Sequence, residues 1–200
     1  MISRGSGGLR LRRRPTRDQL IAAATRTVPD IIAPGLKLLF VGINPGLYSA
    51  WAGHHFARPG NRFWPALLAA GFTSRLLRPE EEHELLRSGY GITNLVERAT
   101  LAADELDKEE LVSGVGTLET KVKRFKPRVV AVLGVSAYRV AFSAPAAALG
   151  PQTARLGAAE LFVLPNPSGL NAHFTPKALA SLFRELRIHL EAKGHARRPS

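Results

Sequence analysis

The stretch GINPGLYSA, residues 42–50, follows an apolar run and holds one carboxamide, Asn44, where the backbone must bend most. An amide there could hold a water against a substrate, could belong to a phosphate-cradling loop, or could be a turn residue tolerating left-handed geometry. The phosphate reading fails on specifics. A Walker loop requires Gly-Lys-Ser/Thr, a dinucleotide loop requires Gly-x-Gly-x-x-Gly opening a helix directly, and Pro45 removes an amide that a cradle would use. His54 and His55 follow in a long segment, but no Gly-x-Ser-x-Gly nucleophile elbow accompanies them. The six histidines lack the carboxylate spacing of a metal site, and the absence of cysteine excludes disulfides, thiolate sites and iron–sulfur clusters.

The elements that must position Asn44 follow from apolar patterning. LKLLFVG (36–42) and RVVAVLG (128–134) read as buried strands, ELFVLPN (160–166) as a third and YGITNLV (90–96) as a weaker fourth. Between them the pattern predicts a helix over 17–27 capped by Thr16, and one after Asn61 closed by Gly71. A further helix opens at Pro79, another runs over 107–125 with Leu111, Val115, Leu118, Val122 and Phe125 on one face, and a short one covers 136–142. A closing helix spans about 175–192. YSAWAGHHFARPG reads as a long aperiodic loop. Strands alternating with helices predict an α/β fold, three layers α/β/α around a mostly parallel four-stranded sheet. Ligands bind such sheets beyond the strands' carboxyl ends, and both the first and the last strand end there in Asn-Pro, at GINPG (42–46) and LPNPSGL (164–170).

Two hundred residues suit one domain, and the 45% hydrophobic content is that of an ordinary globule. No apolar run approaches the ~20 residues of a membrane span, and the N-terminus has no secretory apolar core, so a cytoplasmic protein is expected. Of the formal net charge of +12, nine units belong to two segments. Arg4, Arg10, Arg12, Arg13, Arg14 and Arg17 lie without acids in residues 1–17, and Lys193, Arg197 and Arg198 lie in 193–200. The body, 18–192, keeps only +3. Basic arms of this kind, expected to be disordered, favour a polyanion such as nucleic acid.

LFVGINPGLYSA…FARPGNRFW, GITNLVERAT and VLPNPSGL, in that order and at the ends of the predicted strands, resemble the mismatch-specific uracil-DNA glycosylase family, which includes the thymine-DNA glycosylases. The resemblance runs from about Leu38 to Glu191 and leaves out both tails. Within the wider superfamily it fits the branch with Asn44 in place of an acid and Asn166 in place of a histidine.

The resemblance implies a monofunctional enzyme in base excision repair that flips a damaged or mispaired base from double-stranded DNA and hydrolyses its N-glycosidic bond. It implies no cofactor and no metal, and a monomer is expected. It makes Asn44 the residue that positions the water and Phe56 the ring on which the pyrimidine stacks. Ser49 becomes the small residue at the pyrimidine C5 edge, and Asn94 a substrate-binding residue that replaces a lysine of some bacterial members. Backbone N–H groups near Ile43 would stabilise charge developing on the base. Gly169, Leu170 and Asn171 match the wedge that fills the vacated stack, with Asn166 and Ser168 shaping the loop and contacting phosphate. Ala172 departs from relatives that carry an arginine there, which puts opposite-base discrimination in doubt. Arg58, Arg62 and His173 are phosphate candidates, and Tyr48 and Trp51 have no assigned role. The rival readings are a glycosylase for another deaminated base, hypoxanthine or xanthine, and a non-catalytic mismatch-binding protein.

Overall fold

Thr16 opens the first helix with a capping box: its side chain accepts from the Gln19 N–H while the Gln19 side chain accepts from the Thr16 N–H. Such a cap stabilises by about 1 kcal/mol. The computed structural model describes residues 14–195. The first thirteen residues of the expected N-terminal arm and residues 196–200 of the expected tail lie outside them. Helix α1 (Arg17–Ala22) continues into a short 3₁₀ turn, Ala23–Thr25, where the pattern predicts one helix to 27.

Five strands follow: β1 (Leu38–Gly42), β2 (Tyr90–Asn94), β3 (Val129–Leu133), β4 (Gly150–Leu156) and β5 (Ala159–Leu164). They lie in the order β2-β1-β3-β5-β4, parallel except for β4, which pairs antiparallel with β5. The expected four-stranded sheet is thereby corrected to five. Strand β4, GPQTARL, is an edge strand exposed over most of its length, so it presents no apolar run, and it carries Pro151 beside a register shift.

Side chains alternate between two apolar layers. Leu38, Phe40, Ala131, Leu133, Phe162 and Leu164 face one side, against α3 (Phe63–Ala70) and α7 (Pro176–His195). Leu39, Val41, Val130, Val132, Leu161 and Val163 face the other, against α5 (Lys108–Phe125) and α6 (Val135–Ala141). The closing helix α7 runs past the expected boundary at 192. The segment after Pro79 forms a 3₁₀ turn (Pro79–Glu81) and the short α4 (Glu84–Arg87).

The expected long loop after β1 is also corrected. Its first part is a helix, α2 (Leu47–Ala52), set between Gly46 and Gly53, the latter in the left-handed conformation at φ 74°. Only Ser49 and Ala50 of this helix are buried, too few to mark a helical stripe in the sequence. Trp51 and Leu47 pack on the small alanines Ala23, Ala50 and Ala99, fastening α1 to α2, and Trp51 meets Tyr48 edge-on. From β1 the chain crosses to β2 on one side, while β3 and β5 extend the sheet on the other. The resulting crevice opens at the carboxyl ends of β1 and β3.

Candidate active site

A hollow of about 370 Å³ fills that crevice. Gly42 to Gly46 line it from the end of β1, Asn94 from the last position of β2, Leu133 from β3 and Asn166 from just beyond β5. Of the residues singled out from the sequence, Ile43, Asn44, Ser49, Phe56 and Asn94 all line it, as do Asn166, Ser168, Leu170 and Asn171. Gly169 lies off it, in a smaller groove of about 190 Å³ shared with Gly60 and Asn61.

Asn44 is held by one side of its amide. Nδ2 donates to the Arg98 carbonyl at 2.9 Å and to Thr100 Oγ1 at 2.7 Å. A carbonyl can only accept, so the nitrogen is assigned to that side. The Thr100 hydroxyl spends its own proton on the Ala102 carbonyl, 2.7 Å away, and therefore accepts from Asn44. Both Nδ2 hydrogens are consumed, and among the described residues nothing donates to Oδ1. The loop bearing these acceptors is braced in turn. Thr100 N–H donates to the Pro45 carbonyl, Leu47 N–H to the Thr100 carbonyl, and the Arg98 guanidinium grips both oxygens of Glu110 at 2.7 Å. That grip holds the Glu110 carboxyl down to about 2.

Phe56 sits at φ 53°, left-handed for a residue with a side chain, and stacks on Phe63 with centroids 4.1 Å apart. Such a conformation costs of order 1 kcal/mol and persists where neighbours enforce it. Ser49 is buried and its Oγ accepts from the Ala57 N–H, which fastens the Phe56 turn to α2. Gly42 is required between them. A Cβ there would lie 2.5 Å from Asn94 Oδ1 and 3.4 Å from the Phe56 ring.

His55, set aside in the sequence for want of a nucleophile elbow, lines the site; a histidine inside an aperiodic stretch carries no pattern that would mark it. It is 2% exposed and lines the hollow. Its Nε2 lies 3.0 Å from the Pro29 carbonyl, so Nε2 carries the proton and Nδ1 presents a lone pair toward Asn94 Nδ2, 3.5 Å away. Burial pushes its pKa below the ordinary value, against the opposing pull of Glu82 and of the Pro29 carbonyl. The buried Glu82 accepts from the His55 backbone N–H and pairs with His54 Nδ1, both at 2.8 Å. The Pro29 carbonyl sets the His55 tautomer, and the tautomer turns the Asn94 amide.

The loop after β5 is largely self-bonded. Asn166 Oδ1 accepts from the Ser168 N–H, Ser168 Oγ from the Leu170 N–H, and Asn171 Nδ2 donates to the Asn166 carbonyl. Leu170 nevertheless stands 71% exposed at the rim, facing a hollow whose wall includes Leu101, 70% exposed. The phosphate candidates part ways. Arg58 lines the hollow's mouth and His173 is exposed away from it, whereas Arg62 is turned onto loop carbonyls, Nη1 to that of Phe174 and Nη2 to those of Ser168 and Asn171. The expectation for Arg62 is corrected accordingly: its guanidinium is engaged by three loop carbonyls, charge-assisted bonds that hold it on the protein.

Residues 29–187 match the uracil DNA glycosylase superfamily. The chain belongs to that superfamily, whose members are DNA glycosylases. Its fold is similar to the solution structure of a Methanosarcina acetivorans protein provisionally named a uracil DNA glycosylase. The two are 22% identical with a TM-score of 0.55, over 83% of this chain and 98% of the other. Among the described residues no helix is long and apolar enough to cross a membrane.

Proposed function

We propose that this protein is a monofunctional DNA glycosylase that flips uracil out of mismatches with guanine and hydrolyses its N-glycosidic bond, acting more slowly on ethenocytosine or thymine. The observation that carries the reading is the pinned Asn44 amide: Asn44 lines the hollow, both Nδ2 hydrogens are spent on Arg98 and Thr100, and Oδ1 is left unspent among the described residues. A carboxamide oxygen accepts from water and orients it but cannot deprotonate it appreciably. The sugar–base bond therefore breaks ahead of attack, and its electron pair leaves with the base. The water oxygen then bonds to C1′ of the oxocarbenium-like sugar and its proton passes to the departed base. Uracil tolerates the negative charge better than normal bases do, and N–H groups near Ile43 would offset it.

Phe56 supplies the stacking face. Asn94 offers an acceptor beside a donor, which complements the N3–H and O4 of uracil or thymine and opposes the N3 and amino group of cytosine. Leu170 fills the vacated stack, and Gly169 and Asn171 shape its loop; Asn166 and Ser168 brace it. Ser49 is small enough at the C5 edge for uracil and crowds a methyl group. Among the described residues no lysine lines the hollow, which favours hydrolysis over a Schiff-base route.

The test uses duplexes carrying uracil, thymine, ethenocytosine or hypoxanthine opposite guanine, with abasic strands measured after alkali. Uracil should be released fastest, and Asn44→Ala should form no product while still binding the G·U duplex. Preferred release of hypoxanthine would install the rival substrate. No release from any duplex, with binding retained, would leave a mismatch-binding protein.

A further inference from the structure

Arg62 immediately precedes α3, yet its contacts lie in the loop that follows β5. Nη1 donates to the Phe174 carbonyl at 2.5 Å, and Nη2 donates to the carbonyls of Ser168 and Asn171, both at 2.6 Å. Its own backbone N–H donates to the Pro167 carbonyl at 2.9 Å. One residue thus gathers four carbonyls from residues 167 to 174, on either side of Leu170. Its Nε is buried without a partner, so the side chain forgoes one hydrogen bond to keep the other three. The two segments also touch directly: a Cβ on Gly169 would lie 2.4 Å from the Gly60 carbonyl oxygen. At the other end of the Arg62 segment, Phe56 stacks on Phe63.

We infer that Arg62 is the positioning residue of the wedge: it holds the 167–174 loop in one shape, so that Leu170 stands clear at the rim before DNA arrives. A loop of this length without regular structure would otherwise lose conformational entropy on each insertion. A planar guanidinium can bind three convergent carbonyls at once, and a lysine ammonium at the same Cα cannot span them. Because Phe56 and Arg62 belong to one short segment, the stacking face and the wedge keep a fixed relation. The inference rests on the proposed excision of uracil, and its test separates the two.

Arg62→Lys, Arg62→Ala, Leu170→Ala and the double variant Arg62→Ala/Leu170→Ala are compared in single-turnover excision on two duplexes. In one the uracil faces guanine; in the other it faces a pyrene nucleotide, whose flat rings occupy the stack and expel the uracil unaided. Both Arg62 variants should be slowed about tenfold or more against guanine and return to within about threefold of the parent against pyrene. The double variant should be no slower than Leu170→Ala, as expected of residues acting as one unit. Equal losses on both duplexes, or a double variant whose defects multiply, would overturn the inference. If Arg62→Ala does not fold, the charge-conserving lysine variant decides on the same readouts. Fluorescence of 2-aminopurine placed beside the uracil reports extrusion without chemistry. If the parent protein releases no uracil, the excision reading fails, and an equal fluorescence rise from parent and Arg62→Lys overturns the brace.

Discussion

The choice of an amide at position 44 has a local cause as well as a chemical one. Its acceptors are a carbonyl and a hydroxyl already committed as a donor elsewhere. An aspartate there would face two oxygens with a third, negatively charged one, and the loop would have to open. The amide is thus the group that this loop can hold still. Thr100→Val removes one of the two acceptors and leaves an N–H facing a methyl group, worth about 1.4 kcal/mol. It should lower kcat on a G·U duplex about tenfold with KM nearly unchanged. Steady-state rates of the parent and the valine variant check this, and an unchanged kcat would mean that the Arg98 carbonyl alone fixes the amide.

Among the elements, α5 approaches the chain leaving β2 closely at one glycine. A Cβ on Gly114 would lie 2.4 Å from the Leu95 carbonyl oxygen, just beyond β2, whereas a Cβ on Gly116, half a turn away, would meet nothing within 4 Å. Helix propensity alone favours alanine at both positions by about 1 kcal/mol. Gly116→Ala should therefore raise Tm, while at Gly114 the backbone clash wins and alanine should lower stability by about 1–3 kcal/mol. Thermal unfolding of the two variants distinguishes them by sign. The legibility of each element followed the same physics. The parallel strands were readable because both their faces are buried, and α5 because its apolar face recurs at helical spacing. β4 was hidden by its exposed polar side chains, and α2 by having two buried residues between two glycines. The candidate site was readable through Asn44 and the Asn-Pro loop. His55, Thr100 and the inward turn of Arg62 were not, because each acquires its role from a carbonyl or hydroxyl distant in the chain.

At the scale of the whole molecule, His55 ties stability to pH. It is buried, and burial pushes its pKa below the ordinary 6.5, with Lys121 adding to the push and Glu82, the Pro29 carbonyl and Asp30 pulling upward. Below pH 6.5 the unfolded chain takes up a proton that the folded chain refuses. Stability is therefore full above that value and declines as pH falls, by up to about 1.4 kcal/mol per pH unit from this group. Urea unfolding between pH 5 and 8 should show the decline, and His55→Gln should flatten it; an identical slope in the variant would assign the effect elsewhere. The short helix between Asn44 and Phe56 has a consequence for how this chain can vary. Six residues at ~1.5 Å each make α2 a rigid ruler of about 9 Å, clamped by a glycine at each end. One inserted residue would rotate everything beyond it by about 100° and carry Phe56 off the wall it shares with Asn44. Length changes should therefore be tolerated at the outlying β4–β5 hairpin and forbidden along this ruler, where a single added alanine would misalign both jaws of the cleft.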